Sequence, residues 1–258
     1  GAALSGGANY NTISQSTITS AAAGYSSLYI SGNSSNTVVD SYLQGSSTAA
    51  FISGSTGTIV GGSVLVATNT AGSALAWAGG SVNLTLTTST LFAPSSGRGL
   101  ALNPDNKGVV SLSSVVFTGA ARGIEVSTQG ALFSLVVDSI TFRALAPGAT
   151  AVHFLGGTFV STFTLANFES ANIGANVSGA ALDPASRITM NAHYGPRTSP
   201  AYENDPNSLV DWQGAAPYPG CVVTKNVGSG QEFATIGAAV AALPTTLTGH
   251  SCVVIRDG

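Results

Sequence analysis

The sequence predicts an all-β chain wound as a right-handed parallel β-helix of about eight coils, with a short capping helix near its C-terminus. Three observations predict it. Apolar doublets recur about every 25 residues, and a period of roughly 20–50 residues marks a solenoid. The apolar runs are short, rich in β-branched residues and bounded by Gly, Asn and Ser, as strands are. Only 7% of the residues are charged while 44% are hydrophobic, so the small polar residues Gly, Ser and Thr must form the outer surface.

The doublets place the first strands of each coil. Two apolar residues five apart occur at Ile13/Ile18, Val38/Leu43, Ile59/Val64, Leu86/Leu91, Leu112/Phe117, Val137/Phe142 and Phe163/Phe168. The first members step by 25, 21, 27, 26, 25 and 26 residues. Ile188 extends the series by another 25, with His193 in its partner position. A second run in each period, from SLYISG (27–32) and AAFISG (49–54) to GIEVS (123–127) and AVHFLGG (151–157), supplies a further strand. Alternation sends one residue set inward, where like stacks on like. Each coil advances one strand spacing, about 4.8 Å, so eight coils make a rod of roughly 35–40 Å. A β-sandwich with coincidental spacing is the competing architecture.

Composition narrows the partners. The formal net charge is −3 and no Lys/Arg run occurs, which disfavours nucleic acid and anionic membrane surfaces. No uninterrupted apolar stretch of about 18 residues is present, the length a membrane-spanning helix requires. Gly1 stands where a Met would begin a chain, and NYNTISQSTITS already reads as coil strand. These features suggest a processed or internal segment.

Residues 1–194 form the predicted solenoid. The texture then changes over 195–220, which holds Pro196, Pro200, Pro206, Pro217 and Pro219 together with Tyr202, Trp212 and Tyr218. Repeated Pro interrupts ladder pairing, so this stretch reads as an extended connector, its aromatics suited to docking a neighbouring module. Residues 221–258 read as strand, amphipathic helix and strand. Phe233, Ile236, Val240 and Leu243 follow a helical spacing that makes one apolar face, and Pro244 stops it.

Val223, Gly228, Ser229, Gly230, Phe233, Thr235, Ile236, Ala239, Val240, Ala241 and Pro244, followed by a V-x-I strand, resemble the N-terminal cap and first coil of pectin-methylesterase-like β-helix proteins. The resemblance covers residues 221–258 and concerns architecture. It implies that the helix covers the open end of a first coil. The whole chain resembles a segment of the long tandem β-helix proteins of some bacterial surfaces, with the end of one β-helix, a connector and the start of the next.

The two cysteines, Cys221 and Cys252, each open a C-V-V strand. Were those strands parallel neighbours in register, the Cα atoms would sit about 4.8 Å apart, inside the disulfide window. A disulfide closing a loop of about 30 residues adds roughly 3–4 kcal/mol in the loop-entropy model and implies an oxidising compartment. Two buried free thiols are the alternative. His250 lies near Cys252, but no complete metal-ligand set accompanies it.

Catalysis on a β-helix needs acids clustered over neighbouring coils, with a cation to stabilise charge. The eleven acids are scattered. Asp40 and Asp138 occupy similar VVDS contexts about four coils apart, near 19 Å. Glu125 reads as a surface ion pair with Arg122 and Arg143. Asp183, Arg187 and His193 fall in the last coil, and His153 alternates with Val152 and Phe154, so it points outward. The catalytic acids and Arg of the esterase family would follow the cap, beyond residue 258, and carry over to no residue here. Trp77 reads as core. Asn33, Asn83 and Asn176 open Asn-x-Ser/Thr patterns and are candidate N-glycosylation acceptors.

The expectation is a non-enzymatic structural protein without cofactors. It is a building block of an extracellular or cell-surface fibre, meeting copies of itself or adjacent modules of the same chain head-to-tail. The module-docking residues are Phe233, Ile236, Val240, Leu243, Trp212, Tyr202 and Tyr218. A glycan-binding adhesin or tailspike-like β-helix is the competing function, ahead of a polysaccharide lyase or esterase.

Overall fold

The structure is a computed structural model. It describes residues 1–79, 83–103, 108–127, 133–143, 145–168, 173–177, 180–182, 187–193, 203–204, 210–211, 221–229, 231–246 and 250–255. Strand makes up 60% of it and helix 3%. The chain divides into two compact units, Gly1–Trp212 and Gln213–Gly258.

The first unit is a parallel β-solenoid of about seven turns. Each full turn contributes three strands, and each strand pairs in parallel with its equivalents one turn before and after. The first ladder runs through Ala2–Leu4, Ser26–Ser31, Thr48–Ser53, Ser73–Ala78, Arg98–Asn103 and Arg122–Ser127 into the start of Thr150–Phe168. The second runs through Thr12–Ser14, Thr37–Val39, Thr58–Gly61, Asn83–Thr87, Gly108–Ser113 and Phe133–Asp138. The third runs through Thr17–Ser20, Tyr42–Gly45, Val64–Ala67, Thr90–Phe92, Val116–Thr118 and Ile140–Arg143.

In-register stacking builds the bore from columns of like residues. Leu28, Ala50, Leu75, Leu100, Ile124 and Val152 form one column, and Ile30, Ile52, Trp77, Leu102, Val126 and Phe154 another. Opposite them stand Val38, Val60, Leu86, Leu112 and Val137, and then Leu43, Leu65, Leu91, Phe117 and Phe142. All are buried. Trp77 is 1% exposed, so it is a core residue.

One doublet is corrected by a single residue. The sequence reading put Ile59 and Val64 inward, whereas Val60 and Leu65 line the bore and Ile59 and Val64 are 43% and 38% exposed. A strand's side chains alternate, so a one-residue shift exchanges the faces. The apolar run Ile59–Val60 admits either phase, and the neighbouring turns decide it: Val60 pairs both Val38 and Leu86.

The bend between the second and third ladders is made the same way in six successive turns. One residue takes the left-handed conformation: Gln15, Asp40, Gly62, Thr88, Ser114 and Ser139, with φ of 48°, 49°, 56°, 45°, 55° and 54°. In the earlier turns a serine follows. The amide of Ser16 donates to Ser41 Oγ (3.1 Å), Ser41 to Ser63 Oγ (3.1 Å) and Ser63 to Ser89 Oγ (3.2 Å). Each hydroxyl donates in turn to the carbonyl two residues before it. Ser41, Ser63 and Ser89 are buried, and the chain of bonds satisfies corner groups that the ladders bypass.

The solenoid runs into the stretch read as connector. Glu203–Asn204 pairs with Ile173–Val177, and Val210–Asp211 pairs with Arg187–His193. Each of these two described strands is two residues long.

Candidate functional site

In the second unit, strands Cys221–Val227 and His250–Ile255 pair in parallel and flank a helix over Ile236–Ala241. Thr235 caps the helix, its side chain accepting from the Ala238 amide at 3.2 Å. The expected four-residue apolar face is corrected in two respects. Phe233 lies ahead of the helix: its backbone bonds to Asn226 and Gly228, extending the strand region. The helix buries Ala239, while Ile236 and Val240 are 50% and 52% exposed. A helix of six residues can turn only a narrow stripe onto a two-stranded ribbon, and the small Ala239 takes that position. Leu243 and Phe233 are half-buried, and Lys225 Nζ, paired to Glu232 at 2.9 Å, sits 5.3 Å from the Phe233 ring centre.

The ladder does not set the cysteines opposite one another. Cys221 pairs His250 and Cys252 pairs Thr224, with an irregularity between Cys221 and Val223. The in-register expectation is thus corrected: from Val223 onward the ladder is offset by three residues from a pairing of the two C-V-V runs, and the irregularity beside Cys221 shortens that offset to two. Among the described residues no thiol is free, and the Cys221 side chain lies outside what is described. Tyr202, Trp212 and Tyr218, together with Asp183, also lie outside the described residues.

The three glycosylation candidates separate. Asn33 is 2% exposed. Its Nδ2 donates to Leu4 O at 2.7 Å and its Oδ1 accepts from Gly7 N at 3.0 Å. It is a corner residue, and its amide nitrogen is already used, which corrects that expectation. Asn176 is half-buried and its Oδ1 is shielded without a hydrogen bond. Asn83 is exposed at the start of Asn83–Thr87. It rims a shallow groove of about 260 Å³ with Ile59, Thr85, Val109 and Ser111.

Among the described residues the acids form no cluster. Asp40 is the left-handed corner residue of its turn, whereas Asp138 precedes its own corner and shares a row with Ser113. The two therefore occupy different positions of the repeat. Glu125 is not a loose surface residue: it is 8% exposed, on the outer side of the first ladder. Arg98 and Arg122, stacked in register, both bind its carboxylate, Arg122 Nη1 at 2.5 Å. Arg143 sits on the third ladder, beside Thr118. His153 follows Glu125 in the outward row, as its alternation predicts, yet it is only 8% exposed. Its Nδ1 is 3.9 Å from Glu125 Oε2, and neither ring nitrogen has a hydrogen-bond partner. Burial, then the Arg122 charge, lower its pKa below the usual 6.5, and Glu125 offsets part of this. Among the described residues no cluster of His, Cys, Asp and Glu fits a metal ion, and no helix is long and apolar enough to cross a membrane.

The same outward row carries an aromatic pair in its earlier turns. Tyr29 and Phe51 stack with ring centres 5.7 Å apart and planes 3° from parallel. Neither this pair nor Arg98 stands out among its sequence neighbours. Their signal was the repeat itself: Tyr29 and Phe51, like Arg98 and Arg122, are separated by one coil.

No family model matches this chain, no curated protein is a match for it, and no solved structure matches it.

Proposed function

We propose that this chain is a structural building block of an extracellular or cell-surface fibre, its modules meeting head-to-tail through the C-terminal cap. A parallel β-solenoid is compatible with structural and adhesin-like roles. The observation that carries the structural reading is the outer face of the cap helix, where Ile236 and Val240, one turn apart, are each half-exposed. Such a face gains from burial, about 25 cal/mol per Å² of apolar surface. A cap helix seated on another copy, or on an adjacent module of the same chain, makes a heterologous contact that repeats without closing.

On this reading the role is mechanical rather than catalytic. Stacked hydrogen-bonded turns give length and stiffness. A Cys221–Cys252 disulfide, formed in an oxidising compartment, ties the two cap strands. Non-reducing and reducing peptide mapping tests that bond. Sedimentation velocity tests the contact. The wild-type chain is expected to self-associate with rising concentration, and the double substitution Ile236→Asp and Val240→Asp to leave monomers. Identical sedimentation of the two proteins would remove the cap from the account.

A further inference from the structure

The outward row of the first ladder reads Tyr29, Phe51, Ala76, Ala101, Glu125 and His153 in successive turns. Tyr29 covers one face of the Phe51 ring. On the other side the next residue in the row is Ala76, then Ala101, both only half-buried. Two methyl groups thus leave an open step beside an aromatic face. The step runs three strand spacings from Phe51, about 14 Å, and ends at Glu125.

That far wall is built. The Glu125 side chain is 10% exposed beneath two arginines whose side chains are 35% and 40% exposed. The carboxylate fixes both guanidiniums from below. Each guanidinium carries five N–H donors, so most remain for another acceptor. Two cations over one anion leave the wall positive. Arginine takes carboxylate and sulfate groups bidentately, and an aromatic face takes the apolar side of a flat ring.

The geometry points to a binding step for an acidic oligosaccharide on this face, its saccharide ring against Phe51 and its acid group on Arg98 and Arg122. Charge complementarity selects an anionic ligand, and the aromatic face above a floor of two alanines selects a ring. The site lies on the first ladder and involves no residue of the cap, so it adds an adhesive function to the fibre reading and does not depend on it.

Isothermal titration tests it, with an alginate hexamer as the carboxylated probe, a heparin hexasaccharide as the sulfated probe and maltohexaose as the neutral one. One or both acidic probes are expected to bind, more weakly as salt rises, and maltohexaose not to bind. Phe51→Ala and Arg98→Gln are each expected to weaken binding at least tenfold. Ala76→Leu fills the step beside Phe51 without replacing the aromatic pair or the arginines and is expected to do the same. Tyr10→Ala, at a residue 80% exposed outside the row, is expected to change nothing. Thermal melts check that each variant is folded. Which acidic probe binds assigns carboxylate or sulfate. No binding of either acidic probe, equal binding of maltohexaose, equal binding of a poly-glutamate peptide, or an Ala76→Leu protein that binds like wild type would overturn the proposal.

Discussion

The earlier and later turns of the solenoid share one backbone path and fill it differently. From Leu43 through Leu91 the third-ladder column is leucine, and the same turns carry a small buried side chain on the first ladder: Ser27 with Leu43, Ala49 with Leu65, Ala74 with Leu91. From Phe117 the column is phenylalanine, and the opposing positions are Gly99 and Gly123. A Cβ at Gly99 would lie 2.5 Å from the Phe117 ring, and one at Gly123 would overlap the Phe142 ring. The corner changes in parallel: Ser41, Ser63 and Ser89 give way to buried Val115 and Ile140. The bore is conserved in volume rather than in residue type, as close packing demands, and a corner is either apolar or hydrogen-bonded from turn to turn.

The sharpest way to break the comparison is to mix the two solutions. Leu65→Ala removes a fully buried leucine and should cost about 3 kcal/mol, within the usual range for such cavities. Val64→Ala, on the outer face, should cost well under about 1 kcal/mol. Equal costs in urea titrations would show that the doublet faces the other way. Gly123→Ala should cost about 2 kcal/mol by overpacking. Adding Phe142→Leu should recover part of that, since it restores the pairing of the earlier turns. A strictly additive double variant would argue that the glycine is kept for its backbone alone.

Ser63→Ala should cost about 1–2 kcal/mol, because it strands the buried Ser41 amide. The reverse graft, Val115→Ser, offers the next hydroxyl of the series and should be tolerated better than a serine elsewhere in the bore. If Ser63→Ala is neutral, the serine column is incidental to the corner.

The smallest effect is pH dependence in the later turns. His153 has a lowered pKa in the folded chain, so below about 6.5 the unfolded chain binds more protons. Its contribution is intact above 6.5 and is lost as pH falls from there toward the folded-state value. His153→Gln should flatten that part of the stability profile, read by melts between pH 7.5 and 4.5, and an unchanged slope would remove His153 as the cause.

Much of the fold is legible in the sequence because a solenoid repeats its decisions. Leu86, Leu112 and Val137 sit one coil apart, and each is buried for the same reason. What escapes is information that lies between turns. The phase of Ile59–Val60 is set by Val38 and Leu86, not by its own apolar run. The ion pairs of Glu125 draw on Arg98, in the turn before it, so a search among sequence neighbours finds Arg122 and misses its twin. Asn33 carries an acceptor pattern yet spends its amide on Leu4. In the cap, the spacing of Phe233 suits a helix, but its backbone bonds to Asn226 and Gly228 instead. The bulge beside Cys221 leaves no mark in the C-V-V pattern.

The most direct test of the central claim, that modules meet end to end through the cap, is electron microscopy of the native protein at moderate salt. Continuous fibres with an axial repeat of tens of ångströms, resolved into rungs about 4.8 Å apart and lost on Ile236→Asp with Val240→Asp, are the predicted result. Separate short rods or closed trimers, unchanged by the same substitutions, would contradict it.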